Sequence, residues 1–544
     1  MYSFLVRVIK AIEEAPLALA TFVMTFVALI FVRLTLENML GLFPEHSFFY
    51  FFFEFTHTFL FFLCAFLIIL PLVRYAGNIP FQKAANILIF GFFIILTPPI
   101  IDTFIFRGTN FWSFYAFDSF LGLIRRFFTL FGDHPDMGIT YGVRIEIIIV
   151  TLSLGLYAYL KSKHIGKALF VSLGTYTLLF ILGTFPAWLT LLLLVFQKSF
   201  LSINANDAAA LFLAPENIFA RSLTDLRSVL NVKMSIVYGA LAIMLTGRLL
   251  FREYPEYFIA LWKNSRLPQI FYHSGLLLLG IAFAFFFTDA HITVDFFHVL
   301  GIFLLLAAVY SAWLASVVVN DCYDIRSDAE TNPSRPLIKN TIPFETYKVI
   351  GVLFFIASLI LSGIMSFTAL LLLLSYQSLA WIYSAPPFRL KRFFGLATLF
   401  AAAAGILVLV AGFLAVSSEH SLRVLPLPLL IFLFVAYALC LPVKDFKDIR
   451  GDVLDHVYTL PVILGVQKAK LILGSLLFIL YSLSPLVLHS RALFFPALLF
   501  GGAAFWALQK STADEQSSFA FRKLPGIILA ITICYGLVIY FILF

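Results

Sequence analysis

The chain contains few charged residues for its length. Only 12% of its 544 residues are charged, whereas 62% are hydrophobic, and the mean hydropathy is +1.00. A soluble globular domain carries about 25% charged residues. The scarcity of charge, together with many long apolar runs, excludes an ordinary soluble domain and predicts an all-α integral membrane protein.

Cysteine is also scarce. The four cysteines lie far apart in the sequence, and none forms a C-x-x-C pair. We therefore expect neither a disulfide framework nor a zinc site. The formal net charge of +8 resides in segments between apolar runs, and no basic tract alternates with aromatic residues. This pattern indicates membrane topology, and it predicts no binding of nucleic acid.

The apolar runs predict about six membrane spans in the first half and nine in the second. The first set lies near 16–33, 48–73, 84–105, 142–160, 168–196 and 232–250. The second set lies near 268–287, 293–318, 346–364, 366–383, 394–416, 424–441, 467–488, 491–508 and 524–543. The first run is expected to be a retained span and not a cleaved signal peptide. Segment 111–131 is left open between crossing and lying in the interface.

A polar stretch near residue 260 separates the two sets of spans. We predict an N-terminal polytopic membrane domain of unknown function at 1–260 and a second domain at 261–544. In the second domain, Lys and Arg concentrate in alternate loops, which the positive-inside rule assigns to the cytoplasm.

An acidic block directly follows the second predicted span of the second half. It reads Asn320-Asp321-Cys-Tyr-Asp324-Ile-Arg-Ser-Asp328 and is followed by Arg335-Pro-Leu. Charged groups at a span end rarely occur without a partner or a role. If the helix continues through this block, the three aspartates share one helical face.

The same spacing returns after the sixth span of this half, in Lys444-Asp445-Phe-Lys-Asp448-Ile-Arg-Gly-Asp452. Hard cations take oxygen ligands, and Mg²⁺ uses one or two carboxylates together with water and substrate phosphates. Two acidic blocks with nearby basic residues therefore predict a Mg²⁺–diphosphate site at the membrane boundary.

These blocks resemble the signatures of the UbiA family of intramembrane prenyltransferases. The first fits Asn-Asp-x-x-Asp-x-x-x-Asp with its trailing Arg-Pro-Leu, and the second fits Lys-Asp…Asp-x-x-Gly-Asp. A third family-like block, Tyr383-Ser-Ala-Pro-Pro-Phe-Arg-Leu-Lys391-Arg392, lies between them. The resemblance covers about residues 266–544. It implies a nine-helix UbiA-like bundle, here preceded by about six additional transmembrane helices that resemble no family.

The resemblance also implies a reaction and its residues. The reaction is transfer of an isoprenyl group from a prenyl diphosphate to an aromatic or lipid acceptor, with Mg²⁺ as cofactor. The implied catalytic residues are Asp321, Asp324, Asp448 and Asp452. The implied metal ligands are Asp321, Asp324, Asp328, Asp445, Asp448 and Asp452. The implied substrate-binding residues are Asn320, Arg335, Tyr383, Lys391 and Lys444.

Two positions depart from the family pattern. His456 stands where the family usually has glycine, four residues after the last aspartate of the second block. Arg266-Leu-Pro268 matches only loosely the Arg-Pro that often opens the first helix of the family, so the resemblance gives Arg266 only a weak diphosphate role.

Two other functions stay open at this point. One is phosphoribosyl transfer to a polyprenyl phosphate, which a branch of the family performs and which the same acidic blocks would serve. The other is a non-catalytic lipid transporter or scaffold, for which charged residues inside spans, such as Arg144 and Glu146, give some support.

Overall fold

The structure is a computed structural model. It describes residues 2–543 except 42–47, 107–118, 133–138, 215, 219–220, 224, 289, 291–294, 394, 418–420, 448, 455 and 511–517. Within the described residues, β-structure is confined to one antiparallel hairpin, in which β1 (Glu216–Ile218) pairs with β2 (Arg221–Leu223). The rest of the regular structure is helical, which confirms the predicted class.

The chain divides into two compact units, residues 1–255 with 295–304, and residues 256–294 with 305–544. The functional division predicted at residue 260 stays a prediction. Eleven α-helices are described between Tyr2 and Glu253. They are α1 (Tyr2–Glu14), α2 (Leu19–Leu40), α3 (Phe48–Gly77), α4 (Phe81–Gly91), α5 (Thr97–Phe106), α6 (Phe120–Phe128), α7 (Tyr141–Ser162), α8 (Ile165–Gly183), α9 (Phe185–Leu194), α10 (Ala205–Phe212) and α11 (Leu226–Glu253).

The remaining helices follow without further strands among the described residues. They are α12 (Pro255–Asn264), α13 (Leu267–Phe287), α14 (Phe296–Tyr323), α15 (Ile325–Thr331), α16 (Phe344–Met365), α17 (Phe367–Ser384), α18 (Leu396–Val416), α19 (Leu427–Cys440), α20 (Ile449–Leu454), α21 (Leu460–Leu464), α22 (Val466–Val487), α23 (Phe494–Lys510) and α24 (Ser518–Leu543). Short 3₁₀ helices lie at Phe92–Leu96, Phe200–Ser202, Leu390–Arg392, Leu422–Val424, Leu441–Lys447 and Arg491–Leu493.

Fifteen helices among the described residues are long and apolar enough to cross a membrane. Six of them lie between Leu19 and Glu253, and nine lie between Leu267 and Ile542. These counts confirm the predicted numbers of spans, and the protein is an integral multi-pass membrane protein.

Two predicted segments differ from the structure. The apolar run 168–196 is not one span, because α8 ends at Gly183 and the shorter α9 begins at Phe185. Pro186 at the start of α9 cannot donate the backbone hydrogen bond that a continuous helix needs. In segment 111–131, residues 111–118 lie outside the described residues. Helix α6 in the remainder has only nine residues, too few to cross a bilayer.

Close helix contact organises the second unit around α13 and α18. A Cβ added at Gly280 would lie 1.9 Å from the carbonyl oxygen of Leu409, and one at Gly412 would lie 2.1 Å from that of Leu277. Small residues allow helix backbones to approach each other in membranes, where packing and not water exclusion drives association. The two glycines therefore hold α13 and α18 in direct backbone contact.

Candidate active site

The first acidic block does not form one uninterrupted helix. Helix α14 ends at Tyr323, Asp324 has a non-helical ψ of 19°, and α15 begins at Ile325. The condition under which the three aspartates would share one helical face, an uninterrupted helix, is therefore not met. Like charges on one helix face repel each other, and the break gives Asp324 basic partners different from those of Asp321 and Asp328.

Asp321 is the most enclosed aspartate of the block, with a residue exposure of 1%. Its carboxylate accepts four hydrogen bonds. The donors are Asn264 Nδ2 at 2.7 Å, Arg266 at 2.9 Å, Arg335 at 2.8 Å and the Tyr347 hydroxyl at 2.9 Å. Hydrogen bonds that involve an ionised group are roughly twice as strong as neutral ones. Asp321 therefore ties three separate segments of the second unit to the end of α14.

Arg335 connects Asp321 with Asp328, because the same guanidinium nitrogen contacts both carboxylates. Burial raises the pKa of Asp328 to about 7. The positive charge of Arg335 opposes this shift, whereas the negative charges of Asp321 and Asp324 add to it. The pair of carboxylates thus depends on nearby cations to stay ionised.

Asp324 faces a second pair of basic side chains. Its Oδ1 accepts a hydrogen bond from Arg389 at 2.9 Å and another from Lys391. Among the described residues no side chain donates to its Oδ2. Lys391 also lies 3.4 Å from Oδ1 of Asn320. Three carboxylates of this block thus contact four cations: Arg266, Arg335, Arg389 and Lys391.

The turn after α17 directs these basic side chains toward Asp324. Helix α17 ends at Ser384, and the backbone N–H of Arg389 donates to the carbonyl of Ala385 at 2.9 Å. Arg389 has a φ of 42°, and Arg266 has a φ of 55°. A non-glycine residue in the left-handed region costs about 1–3 kcal/mol and persists where its surroundings enforce it. Here both strained arginines bind aspartates of the first block.

The second block lies on a 3₁₀ helix and on α20. Asp445 belongs to the 3₁₀ helix Leu441–Lys447, and Asp452 lies in α20, where its Oδ2 accepts from the Thr459 hydroxyl at 3.2 Å. Asp448 lies outside the described residues. His456 has a φ of 54°, the conformation that glycine adopts most easily. The loop therefore keeps a glycine-type conformation with a histidine in it.

The two blocks approach each other. Helix α15, which carries Asp328, packs against α20. Tyr383 is within electrostatic range of Asp324 in the first block and of Lys444, Asp445 and Asp452 in the second. The structure therefore gathers predicted residues of all three sequence blocks at one end of the bundle.

The oxygen donors fit a hard divalent cation. Within the part of the chain that the structure describes, no preformed group of three His, Cys, Asp or Glu residues could hold a metal ion. However, Oδ2 of Asp324 accepts from no described side chain, and carboxylate oxygen is the ligand that Mg²⁺ prefers. For Asp321 to bind a metal, at least one of its four donors would have to move. The assignment of ligands stays a prediction.

Sequence reasoning missed several residues of this cluster. Asn264 and Tyr347 lie 57 and 26 positions from Asp321 in the chain, so no local pattern joins them. Arg266 and Arg389 did carry signals, the loose Arg-x-Pro match and the third block. The first signal is weak in the sequence, and the second points to Lys391 as much as to Arg389.

The polar residues inside spans of the first unit also have defined partners. Glu146 pairs with Arg33 at 3.2 Å, and Arg33 also binds Glu37 at 2.7 Å. Arg144 donates to the backbone carbonyls of Ile139 and Gly132. Arg144 and Glu146, two positions apart on α7, thus bind different parts of this unit.

The second unit is therefore a membrane-embedded helical bundle with an acidic and basic cluster at its helix ends. Comparisons with known proteins agree. The model of the UbiA prenyltransferase family matches residues 275–529. This match, to just under half of the chain, confirms the resemblance seen in the sequence. The match begins at residue 275 and leaves the first half of the chain outside it.

The two curated relatives described here have the same name. The chain is 31% identical over 185 residues to the digeranylgeranylglyceryl phosphate synthase of Saccharolobus solfataricus, covering 34% of this chain and 64% of that protein. It is 25% identical over 233 residues to the synthase of that name from Methanosphaera stadtmanae, covering 41% and 82% respectively. The chain thus spans under two thirds of the length of the first of these relatives.

Among solved structures, a UbiA homolog from Archaeoglobus fulgidus bound to GPP and Mg²⁺ is 20% identical to this chain. The alignment has a TM-score of 0.39 and covers 50% of this chain and 97% of that one.

Proposed function

We propose that this chain is a Mg²⁺-dependent intramembrane prenyltransferase whose active site is the cluster around Asp321, Asp324 and Asp452. The observation that carries the proposal is the convergence of two family-type acidic blocks at one end of the bundle. Tyr383, from the third block, has charged residues of both blocks within electrostatic range. A structural ion-pair network would not require these three blocks to meet.

The proposed metal-binding residues are Asp324, Asp448 and Asp452, with Asp321, Asp328 and Asp445 as further ligands or supports. Mg²⁺ bound there would neutralise the diphosphate and make it a better leaving group. The chain's own cations complete the site. Arg335, Arg389, Lys391 and Lys444 would hold the diphosphate oxygens, and arginine allows bidentate contact.

The basic side chains that now contact the first block are the groups a diphosphate would engage. Lys391 contacts both Asp324 and Asn320, so a small rotation of its side chain would turn its ammonium group toward the leaving group. Asp321 and Asp328 keep Arg335 fixed when substrate is absent. In this arrangement the carboxylates position cations as well as metal, which lowers the reorganisation needed for catalysis.

The apolar interior of the bundle would hold the isoprenoid chain. Each buried CH₂ group contributes about 0.8 kcal/mol, so a long chain supplies much of the binding energy. Among the aromatic and lipid acceptors predicted from the sequence, the shared name of the curated relatives favours a glyceryl phosphate lipid and a geranylgeranyl donor.

The direct test is prenyl transfer by the full chain in membranes. Labelled geranylgeranyl diphosphate is supplied with a prenylated glyceryl phosphate or with hydroxybenzoate, with Mg²⁺ or with EDTA. We expect a lipid-extractable product that requires Mg²⁺ and disappears in Asp324→Asn. Asp225→Asn is the matched control, because Asp225 caps α11 in the first unit and asparagine caps helices equally well.

Other results would change the assignment. Transfer from labelled phosphoribosyl diphosphate to a polyprenyl phosphate, without prenyl transfer, would replace the proposal by the phosphoribosyl alternative. If a correctly folded chain neither binds nor turns over either diphosphate, the non-catalytic transporter or scaffold is favoured.

We also propose that the active site faces the cytoplasm. Lys339 follows the first block, in a loop set rich in lysine and arginine, whereas Arg423 lies in a loop at the opposite side by the order of spans. In a cysteine-free background, an impermeant thiol reagent should label Arg423→Cys, but not Lys339→Cys, on intact cells. The reverse labelling would invert the topology.

A further inference from the structure

The first unit contains a cavity that the prenyltransferase proposal does not use. Its volume is about 320 Å³, and residues of α2, α3, α4, α7, α8 and α11 line it together with the 3₁₀ helix Phe92–Leu96. Cavities of this size, mostly apolar with a few converging polar groups, are the usual sites for small ligands. All of these elements belong to the first unit.

One end of the cavity is polar. Arg33, Glu37, Glu54, His57 and Glu146 line it, and all lie toward one end of their helices. Arg33 and Glu37 are in the last two turns of α2, whereas the other three are near the starts of α3 and α7. Because these helices alternate in direction, all five residues lie toward the same membrane surface. Ionisable groups inside spans are costly, so a cluster of five indicates a function.

The deeper wall of the cavity is apolar. It includes Ile69, Leu88, Val150 and Leu154. Along α3, Glu54 and Ile69 are 15 residues apart (69 minus 54), which corresponds to about 22 Å of helix. The cavity thus offers a polar end and a long apolar wall, the shape that an amphiphile with one extended chain requires.

The span that closes this cavity is interrupted. Helix α4 ends at Gly91, and the 3₁₀ helix Phe92–Leu96 follows before α5. The carbonyl of Ile95 in this segment accepts a hydrogen bond from Arg33 at 3.2 Å. Irregular backbone at membrane depth is tolerated where it is buried in protein or lines a cavity, and broken helices mark many binding sites in transport proteins.

His57 indicates that the polar end receives a ligand. It is only 7% exposed, and its ring lines the cavity beside that of Tyr238, with 5.7 Å between the two ring centroids. The arginines of the cluster are already engaged, Arg33 by Glu37 and Glu146, and Arg227 by Glu54. A neutral imidazole that faces a cavity can donate one hydrogen bond to a bound group and accept one from it.

The charges select the type of head group. Three carboxylates, Glu37, Glu54 and Glu146, meet two guanidinium groups, Arg33 and Arg227. An anionic head would add to this excess of negative charge in a medium of low dielectric constant. A hydroxyl group, in contrast, can donate to a carboxylate oxygen and accept from the His57 ring. We propose that the first unit binds an uncharged single-chain amphiphile, with its hydroxyl head at His57 and its chain along the apolar wall.

The test uses the full chain in phosphatidylcholine nanodiscs and a hexadecan-1-ol probe that carries a diazirine in its chain. After photolysis, we expect labelled peptides from α3, α4 and α7. Unlabelled hexadecan-1-ol should compete about tenfold better than hexadecyl phosphate, and His57→Phe should reduce this preference. Equal competition by the phosphate would overturn the assignment of the head group.

Two glycine variants distinguish binding of the probe in the cavity from binding on the lipid-facing surface. Gly91 lines the cavity, and a side chain added there would meet no atom within 4 Å, so Gly91→Leu should fill the space without a clash. Gly166→Leu is the matched control, because Gly166 also has open space but does not line the cavity. Loss of labelling in Gly91→Leu alone supports the site. Equal labelling in both folded variants overturns it.

Discussion

The guanidinium group of Arg335 lies 2.8 Å from a carboxylate oxygen of Asp321, whose side chain is only 1% exposed. The same group contacts Asp328, so one arginine holds two buried carboxylates of the proposed metal site. The sequence predicts that Arg335 contacts the diphosphate. Its position gives it a structural role as well, since the two carboxylates would repel each other without it.

Arg335→Ala should therefore destabilise the protein strongly. Removal of one partner of a buried ion pair typically costs about 3–5 kcal/mol. We expect a lower midpoint of thermal unfolding, partly restored by Mg²⁺, because the metal would supply the missing positive charge. Arg423→Ala removes the same side chain from an exposed loop and serves as control. Equal effects of the two variants, with no response to Mg²⁺, would contradict this role.

His456→Gly should stabilise the loop of the second acidic block. His456 has a φ of 54°, and a residue with a Cβ pays about 1–2 kcal/mol in that region, whereas glycine does not. The gain is reduced because glycine is also more flexible in the unfolded chain. Thermal unfolding in detergent measures the difference. A clear loss of stability would show that the imidazole makes a contact worth more than the strain.

Gly280→Ala and Gly412→Ala should both destabilise the bundle. Each added methyl group would lie about 2 Å from a backbone carbonyl oxygen of the facing helix, so α13 and α18 would have to separate. Gly275→Ala lies on the same α13 and meets nothing within 4 Å. It should be neutral or gain up to about 1 kcal/mol of helix propensity. Similar unfolding temperatures for all three variants would argue against the close contact.

The segment around α10 should lose stability in acid. Asp207 accepts hydrogen bonds from Lys198 and from the backbone N–H of Asn204, and the Lys198 hydrogen bond is the main cause of its lowered pKa. A carboxyl group with a depressed folded pKa stabilises above its unfolded pKa of about 3.9, and this contribution is lost as the pH falls through the folded value.

Hydrogen exchange, corrected for its intrinsic pH dependence, measures this effect. Protection of 205–212 in the wild type should fall as the pH is lowered below about 4. Asp207→Asn should have lower protection than the wild type above that pH and little pH dependence. A wild type whose protection stays constant as the pH falls well below this value would contradict the role of the Asp207 carboxylate.

Much of this fold could be predicted from sequence, because the membrane imposes a strong rule. Backbone polar groups must be satisfied within the segment, so hydropathy and length together locate helices well. The six and nine predicted spans are all present among the described helices. The prediction of one continuous span at 168–196 is wrong, because the helix is interrupted at Thr184. Hydropathy does not register that Pro186 lacks a backbone hydrogen-bond donor.

The sequence predicts those residues of the candidate site that have the right chemistry and lie close to one another in the chain. Aspartates at regular spacing after a span are visible in a sequence, and so are lysine and arginine in the loop that follows. Asn264 and Tyr347 are ordinary residues whose role exists only because folding brings them to Asp321. The partner of Glu146 is likewise Arg33, 113 residues away, and not Arg144, which is only two positions away.

The most direct test of the account is a double-mutant cycle on Asp324 and Asp452, one residue from each acidic block. Asp324→Asn, Asp452→Asn and the double variant are compared with wild type by kcat/KM for Mg²⁺-dependent prenyl transfer. If both blocks hold one Mg²⁺–diphosphate site, each single change should cost about a hundredfold, and the double change little more. Full activity in either single variant, or two effects that simply multiply, would contradict a single shared site.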